Sequence, residues 1–435
     1  MIRRGHSAKS WLTMFAVLVV AAGAGCEKTT HASIDKWRGT VKGPAKLARA
    51  LSDSALEADL RAHAAQALVA LAKVDQVLAA VPAMKEAERV DVLGKLFPRL
   101  WNDCKLSEEL QVPTEKQLFA KDALFVLRKV ASGTSRDKAD DYLLEWLTGY
   151  YDGRASLGQH HGELIVRTLG PKAAPKLLAA ARAILGSPSE GNKIAVLGDE
   201  LLRGIASAGS PEGVKFLVDL SEKNHQDDSL RKRALSALYV VYLDNTSAPL
   251  VAREALVPHV SRLQAIAASS EQPGENINVA FDIIAASGKP HCIAPLSSLA
   301  KHREAPRRWR AVQQGLKCAG ADGILPLSEA LPTGIPYEQG ILEKYFWDKI
   351  VEIGPEAAGP ARLLLSSSSW VARVTGVEVL ARLGTSNDVS ALRNLGKDST
   401  KLRGWWGKES KKARQSEPTL GSLALSAAVR LEKKD

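Results

Sequence analysis

Two cysteines and two histidines lie close enough along this 435-residue chain to form a bond or to bind a metal. Cys292 follows His291, and both His302 and Cys318 come within the next 26 residues. Zinc requires four nitrogen or sulfur ligands in a tetrahedron, and the sequence has no Cys-x-x-Cys pair on which such a site is usually built. We therefore expect no metal. A disulfide between Cys292 and Cys318 is the favoured interpretation, and two reduced buried cysteines are the alternative.

Catalytic motifs are absent from the sequence. It contains no G-x-S-x-G, P-loop, dinucleotide fingerprint or H-E-x-x-H. The adjacent pair His160 and His161 does not form a normal chelate, because neighbouring side chains on a helix point about 100° apart. We interpret this pair as a solvated helix start and Cys104 as a buried helix residue. The sequence thus predicts neither enzyme activity nor a cofactor.

The fourth cysteine, Cys26, ends a targeting pattern. Residues 1–10 carry three Lys or Arg and no acid, and residues 11–25 are apolar and small. This apolar stretch is shorter than the roughly 20 residues that span a membrane, so it predicts a secretory signal. The four residues that end at Cys26 resemble a bacterial lipobox, in which the cysteine is lipidated, although Gly23 stands where that pattern prefers Leu. Cleavage after Ala24 is the alternative.

This pattern predicts a place in the cell. Residues 1–25 are a signal peptide of the lipoprotein type, and residues 26–42 are the lipidated cysteine and a short tether. By resemblance to lipoprotein sorting, Glu27 permits transfer to the outer membrane, so we expect anchoring at its periplasmic face in a Gram-negative bacterium. The chain carries a formal charge of +11. For an exported protein this favours acidic envelope partners over nucleic acid.

A basic, tryptophan-containing insert at 397–415 is the first candidate binding surface. It has seven Lys or Arg against two acids. Paired tryptophans among cations suit a membrane interface, an anionic glycan or an acidic protein. The favoured interpretation is that one tryptophan fills the end of the helical array and the charges are solvated, and it can coexist with a binding role. The candidate residues are Arg403, Trp405, Trp406, Lys408, Lys411 and Lys412.

Trp309 is the second candidate, together with its neighbours Arg308 and Arg310. These arginines fall at the start of a predicted helix, where the helix dipole disfavours positive charge. A solvated helix face is the favoured interpretation, and a binding role is the alternative.

The elements that position these residues repeat along the chain. Apolar helical stretches end at a glycine, turn, and resume in a second apolar stretch that often opens with proline. Glycine closes the first helix in the left-handed conformation, and proline fits the first turn of the second. The turn glycines recur at about 30–40 residues, with one double interval, and are Gly170, Gly209, Gly288, Gly320, Gly354 and Gly384.

The first helices of several pairs share a phrase: LRAHAAQAL at 60–68, LRKRALSAL at 230–238 and VARVTGVEVL at 371–380. This phrase, with the turn, resembles the HEAT-repeat family of armadillo-like helical proteins. The resemblance implies an all-α fold, a right-handed α-solenoid of about nine or ten antiparallel helix pairs. Residues 43–158 would be irregular repeats. Residues 159–435 would be HEAT-like repeats that end in a capping helix.

The resemblance also implies a kind of function. HEAT repeats present an extended concave surface, so we expect a scaffold that binds an envelope protein or peptide partner. A carrier or binder of lipid-like or anionic glycan ligands in the groove is the alternative. A HEAT-like enzyme of the lyase type is a second alternative.

Overall fold

The computed structural model describes residues 28–106, 112–186, 197–222, 228–244, 253–269, 274–407 and 416–433. These residues form helices and turns, with no strand beyond one isolated bridge between Lys401 and Thr419. None of the helices in the described part of the chain combines the length and the apolar character that crossing a membrane requires. The predicted signal peptide and Cys26 lie outside the described residues, as do Lys408, Lys411 and Lys412.

The chain divides into two compact units, Met1–Ile165 and Val166–Asp435. The sequence had placed the corresponding change between residues 158 and 159. Helices of the first unit are α1 (His31–Arg38), α2 (Gly43–Ser52), α3 (Ala58–Ala70), α4 (Val74–Ala80), α5 (Glu86–Cys104), α6 (Glu115–Leu127), α7 (Gly133–Thr148) and α8 (Tyr151–Arg154). The division falls within α9 (Gly162–Leu169).

The second unit continues the same construction. Its described helices are α10 (Ala174–Gly186), α11 (Asp199–Ser207), α12 (Pro211–Ser221), α13 (Asp228–Tyr239), α14 (Val260–Ala268), α15 (Gly274–Ala286), α16 (Ile293–Ala300), α17 (Ala305–Ala319), α18 (Ala321–Ala330), α19 (Gln339–Leu342), α20 (Asp348–Val351), α21 (Ala358–Leu364), α22 (Trp370–Leu383), α23 (Val389–Asn394) and α24 (Leu420–Glu432). A π-helical turn, Glu343–Trp347, joins α19 to α20.

Within each unit a helix packs on its neighbours in sequence. In the first unit α3 contacts α2 and α5, and α5 contacts α6 and α7. In the second, α17 contacts α15, α16 and α18, and α18 contacts α21 and α22. Contacts with the next helix and the next but one are the mark of a solenoid, because one helix pair cannot bury both of its apolar faces alone. The fold is therefore an all-α solenoid, as the sequence predicted.

The turn glycines act as predicted at five of six positions. Gly170, Gly209, Gly288, Gly320 and Gly354 have positive φ. The sixth, Gly384, has φ −71° and an extended ψ, so it does not need the left-handed region. A Cβ there would lie 2.4 Å from the carbonyl oxygen of Leu380, so close packing of the backbone explains this glycine.

The predicted tether is in part a helix, which corrects the assignment of residues 26–42. Helix α1 begins with a capping box at Thr30 and Ser33 and buries Ile34 and Trp37. It packs on α2 and α3. Its polar composition concealed it in the sequence, because two buried apolar side chains on eight residues give a weak periodic signal. Residues 31–38 belong to the first unit.

The predicted capping helix is α24. Thr419 accepts the N–H of Ser422 at its start. Its small side chains, among them Ala424 and Ala427, share a core cluster with Val377 and Leu392 of the preceding helices. In the sequence, the insert at 397–415 lies between α23 and this closing helix.

Candidate functional site

The structure buries the arginine–tryptophan pair that begins α17. Arg308 is 5% exposed and Trp309 is 6% exposed, so the favoured interpretation, a solvated helix face, is wrong for these two residues. The Nη1 atom of Arg308 donates to the carbonyls of His302 and Arg303 at 3.0 and 3.3 Å. Arg373 binds the carbonyls of the turn before α22 in the same way. An arginine at this repeat position therefore binds the carbonyls of the preceding turn in both repeats, which explains a cation at a helix start.

Trp309 lies in a cluster of aromatic side chains. Its ring is nearly parallel to that of Tyr345, with 16° between planes and 6.0 Å between centroids. Tyr337 meets Trp309 edge-on at 6.0 Å, and Trp370 meets Tyr337 in the same manner at 5.8 Å. The Arg308 guanidinium lies 5.5 and 5.6 Å from the ring centroids of Trp309 and Tyr337. Such cation–π contacts stabilise both the ring positions and the buried charge.

These rings line a groove of about 590 Å³, which we call the aromatic groove. Its volume falls in the range of ligand sites in proteins. Its apolar walls are Pro306, Trp309, Pro336, Tyr337, Ile341 and Tyr345, and its polar margin includes Asn278, Arg310, Gln313 and Glu338. Three parts of the second unit supply these walls: the start of α17, the segment that leads into α19 together with α19 itself, and the π-helical turn. Sequence spacing did not reveal this, since Tyr337 and Tyr345 carry no motif.

Arg310 is fixed at the margin by an acid. Its Nη2 atom donates to both oxygens of Asp282, at 2.5 and 2.7 Å. Burial raises the pKa of Asp282, and the charge of Arg310 opposes that rise. The pairing holds the guanidinium still, while its Nε atom has no hydrogen-bond partner among the described residues.

Tyr337 places an unsatisfied hydroxyl in this region. The residue is buried, and its Oη atom has no partner in the described part of the chain. Burial raises the pKa of Tyr337 to about 12, so the hydroxyl keeps its proton at neutral pH. A buried hydroxyl without a partner costs about 1–3 kcal/mol. A ligand acceptor that reached it would recover part of that energy.

The insert lies against the same groove wall. The backbone N–H of Tyr337 donates to the Arg403 carbonyl at 3.2 Å, and that of Gln339 donates to the Trp405 carbonyl at 2.9 Å. A Cβ at Gly404, where φ is +78°, would come within 2.7 Å of Pro336. The structure thus brings the two predicted binding regions, 308–310 and 403–406, to opposite sides of one segment.

The two adjacent tryptophans of the insert point in different directions. Trp405 is 1% exposed, and its ring lies 5.8 Å from that of Trp347. Trp406 is 41% exposed, and its indole N–H donates to the Ser416 carbonyl at 3.1 Å. Trp405 is therefore a core residue of the second unit. Trp406 is a surface residue whose hydrogen bond reaches the residue that follows the insert.

The structure joins Cys292 and Cys318 by a disulfide, with 6.7 Å between Cα atoms. The first caps the start of α16 and the second lies near the end of α17, so the bridge links two neighbouring helices. Cys104 is free and buried. In the described ranges no group of three or more His, Cys, Asp or Glu side chains could hold a metal ion.

No pattern in the sequence indicates the buried lysine of the first unit. Lys121 is fully buried and forms an ion pair with Asp122 at 2.7 Å. Its Nζ atom also donates to the carbonyls of Leu157 and His160, at 2.8 and 2.7 Å. Burial lowers the pKa of Lys121, and the Asp122 carboxylate opposes that change. All three N–H donors of Lys121 are used, so this lysine stabilises the segment that contains Leu157 and His160 and is not a free nucleophile.

The same contacts correct the interpretation of the histidine pair. Asp122 accepts the backbone N–H groups of Gln159 and His160 at 2.7 and 3.1 Å. The ring of His160 packs against Phe125, with centroids 4.7 Å apart. The prediction of a solvated pair therefore holds only for His161, which is exposed. His160 is not solvated, because the buried ion pair of Lys121 and Asp122 binds the loop before α9.

Comparison with known proteins adds weak similarity. No protein-family model matches the chain, and no curated protein matches it by sequence. The structure of human deoxyhypusine hydroxylase in complex with glycerol is similar at 13% identity, covering 79% of this chain and 98% of that one, with a TM-score of 0.23. Kap121p bound to Pho4p is similar at 12% identity, covering 97% of this chain and 45% of that one, with a TM-score of 0.26. Scores of this size carry no argument about function.

Proposed function

We propose that this protein is a non-catalytic scaffold whose aromatic groove binds a segment of a partner protein. The observation that carries this proposal is the groove itself: three aromatic rings, held by a fixed arginine, surround a ligand-sized space. Aromatic and arginine side chains in such settings supply most of the energy in protein interfaces. Two buried groups with shifted pKa values support a binding role over catalysis, because Lys121 and Asp282 are both engaged in ion pairs.

We place this scaffold at the cell envelope, anchored by a lipid on Cys26. The support is the targeting pattern of residues 1–26 and the formal charge of +11. In this proposal the first helix lies a few residues from the anchor, at the periplasmic face of the outer membrane. The solenoid would then hold its partner close to the membrane, since residues 27–30 leave little length for a tether.

A second candidate is an anionic glycan or lipid-like ligand in the same groove. The side-chain amides of Asn278 and Gln313 at the margin favour it, because amides donate and accept at once, as sugar hydroxyls do. This candidate uses the same aromatic faces, so direct binding measurements separate it from the first.

The anchor is tested by the mass of the mature protein from bacterial membranes. Lipidation predicts an N-terminal Cys26 that carries acyl chains, and Cys26→Ser would release the protein from the membrane fraction. A mature chain that begins at Gly25 without a lipid would overturn the anchoring proposal.

The binding site is tested by crosslinking in native envelopes with a tag at Asp435. A Tyr345→Ala variant opens the groove, and Trp406→Ala is the control, since Trp406 is an exposed aromatic outside the groove. We expect a reproducible partner with the wild type and Trp406→Ala, and its loss with Tyr345→Ala. Equal capture by all three proteins would move the contact away from the groove.

A further inference from the structure

We propose that the aromatic groove recognises an extended, proline-rich segment with acidic flanks. This inference rests on the proposed function and names the chemistry of the partner segment. Three independent features of the groove support it: the shape of its walls, its surplus of hydrogen-bond donors, and its charge.

The walls suit the rings of proline. Trp309 and Tyr345 present nearly parallel faces, and Tyr337 stands edge-on between α17 and the insert. Pro306 and Pro336 extend these flat walls at the margin. Proline-rich segments adopt the polyproline II helix before binding, so they dock in grooves lined by aromatic rings at a low entropic cost.

The groove also carries hydrogen-bond donors that no described protein group accepts. Within the described residues the buried hydroxyl of Tyr337 and the buried Nε atom of Arg308 have no hydrogen-bond partner. The Nε atom of Arg310 is likewise without one. A polyproline II segment makes no internal hydrogen bonds, and proline has no N–H. Such a segment therefore offers carbonyl acceptors and few donors, which complements a donor-rich groove.

The charge of the groove favours acidic flanks. Arg308 and Lys344 have no carboxylate partner among the described residues, and Lys344 Nζ lies 5.1 Å from the Tyr345 ring centroid. Arg310 is neutralised by Asp282. Glu338 is the acid among the lining residues, so the positive charge is in excess. Complementary charge raises both affinity and the rate of encounter.

The test is fluorescence anisotropy with the full chain in detergent and a fluorescein-labelled peptide, EEPPLPPAPPEE. Two matched peptides, EEAALAAAAAEE and KKPPLPPAPPKK, separate the roles of proline and of acid. We expect the first peptide to bind about tenfold more tightly than either control, and the advantage over the lysine peptide to shrink as salt increases. Equal binding of all three peptides would overturn the inference.

Variants assign the binding to the groove. Trp309→Phe replaces the indole with a smaller ring that has no N–H, Tyr337→Phe keeps the ring and removes one donor, and each should weaken binding of the first peptide about fivefold. Tyr142→Phe makes the same chemical change in the first unit, where Tyr142 stacks on Trp101, and should leave the affinity unchanged. Thermal unfolding of each variant confirms that it folds. Unchanged affinity in both groove variants would overturn the inference.

The outcomes distinguish this inference from the proposed function. If an oligogalacturonate probe binds more tightly than the peptide and depends on Trp309, the groove is a glycan site and both proposals fail. If neither probe binds while Tyr345→Ala still abolishes crosslinking of a protein partner, the scaffold proposal stands and the proline-rich segment is ruled out.

Discussion

The backbone N–H of Gln339 donates to the carbonyl of Trp405 at 2.9 Å, and this bond ties the C-terminal insert to a wall of the aromatic groove. The two residues are far apart in sequence and belong to different repeats. A change in the insert can therefore alter the groove without any contact with a ligand. The buried side of the insert, with Trp405, supports the groove. The exposed side, with Trp406, is a surface loop.

Trp405→Ala should destabilise the second unit by about 3–5 kcal/mol, because it removes a fully buried aromatic ring that packs on Trp347. Urea denaturation measures this change. Trp406→Ala is the matched control and should shift stability by less than about 0.5 kcal/mol, since its ring is partly exposed. Equal effects of the two substitutions would contradict the assignment of Trp405 to the core.

Lys121→Met should destabilise the first unit by about 3–5 kcal/mol, because it leaves the buried Asp122 carboxylate without its cation. Urea denaturation measures this change. The double variant with Asp122→Asn should recover part of the loss. A double variant less stable than the sum of both single changes would refute the pairing.

The stability of the last repeats should fall as pH rises above the ordinary pKa of Glu378. Glu378 is buried, and burial raises its pKa from 4.5. The folded chain keeps this proton in a range where the unfolded chain has released it, so the stabilisation is full below pH 4.5 and is lost as pH rises through the raised pKa.

Glu378→Gln should remove this dependence and be more stable than the wild type above the raised pKa. Unfolding curves at a series of pH values provide the measurement. Glu356→Gln, at an exposed position, is the control. A wild type and Glu378→Gln with parallel stability profiles would show that the carboxyl is not protonated in the folded chain.

Loss of the disulfide should cost about 3 kcal/mol of stability by the chain-entropy relation, since the bridge closes a loop of 26 residues. The Cys292→Ala/Cys318→Ala variant should match the reduced wild type in urea denaturation. Thiol titration of the unreduced, denatured Cys26→Ser chain should find one thiol, that of Cys104. Three thiols would mean that Cys292 and Cys318 are reduced.

The sequence by itself determined the local construction. Gly320 and Gly354 close their helices with positive φ, and Pro211 begins α12, because these conformations depend on single residues and their immediate neighbours. The helical period of the apolar residues, together with the repeated phrase, predicted stacked pairs. The pairing of Cys292 with Cys318 was also favoured, since the repeat places both residues at one end of adjacent helices.

Only the tertiary structure decided which polar and aromatic residues are buried. Lys121 is buried because the distant carbonyls of Leu157 and His160 accept its hydrogen bonds. Trp309, flanked by arginines in the sequence, is buried against the rings of Tyr337 and Tyr345. The aromatic groove joins Trp309, Tyr337 and Tyr345 with the backbone of Trp405, four positions that no local pattern relates. Burial of a polar group depends on partners that arrive from other repeats, and linear spacing does not encode where those partners meet.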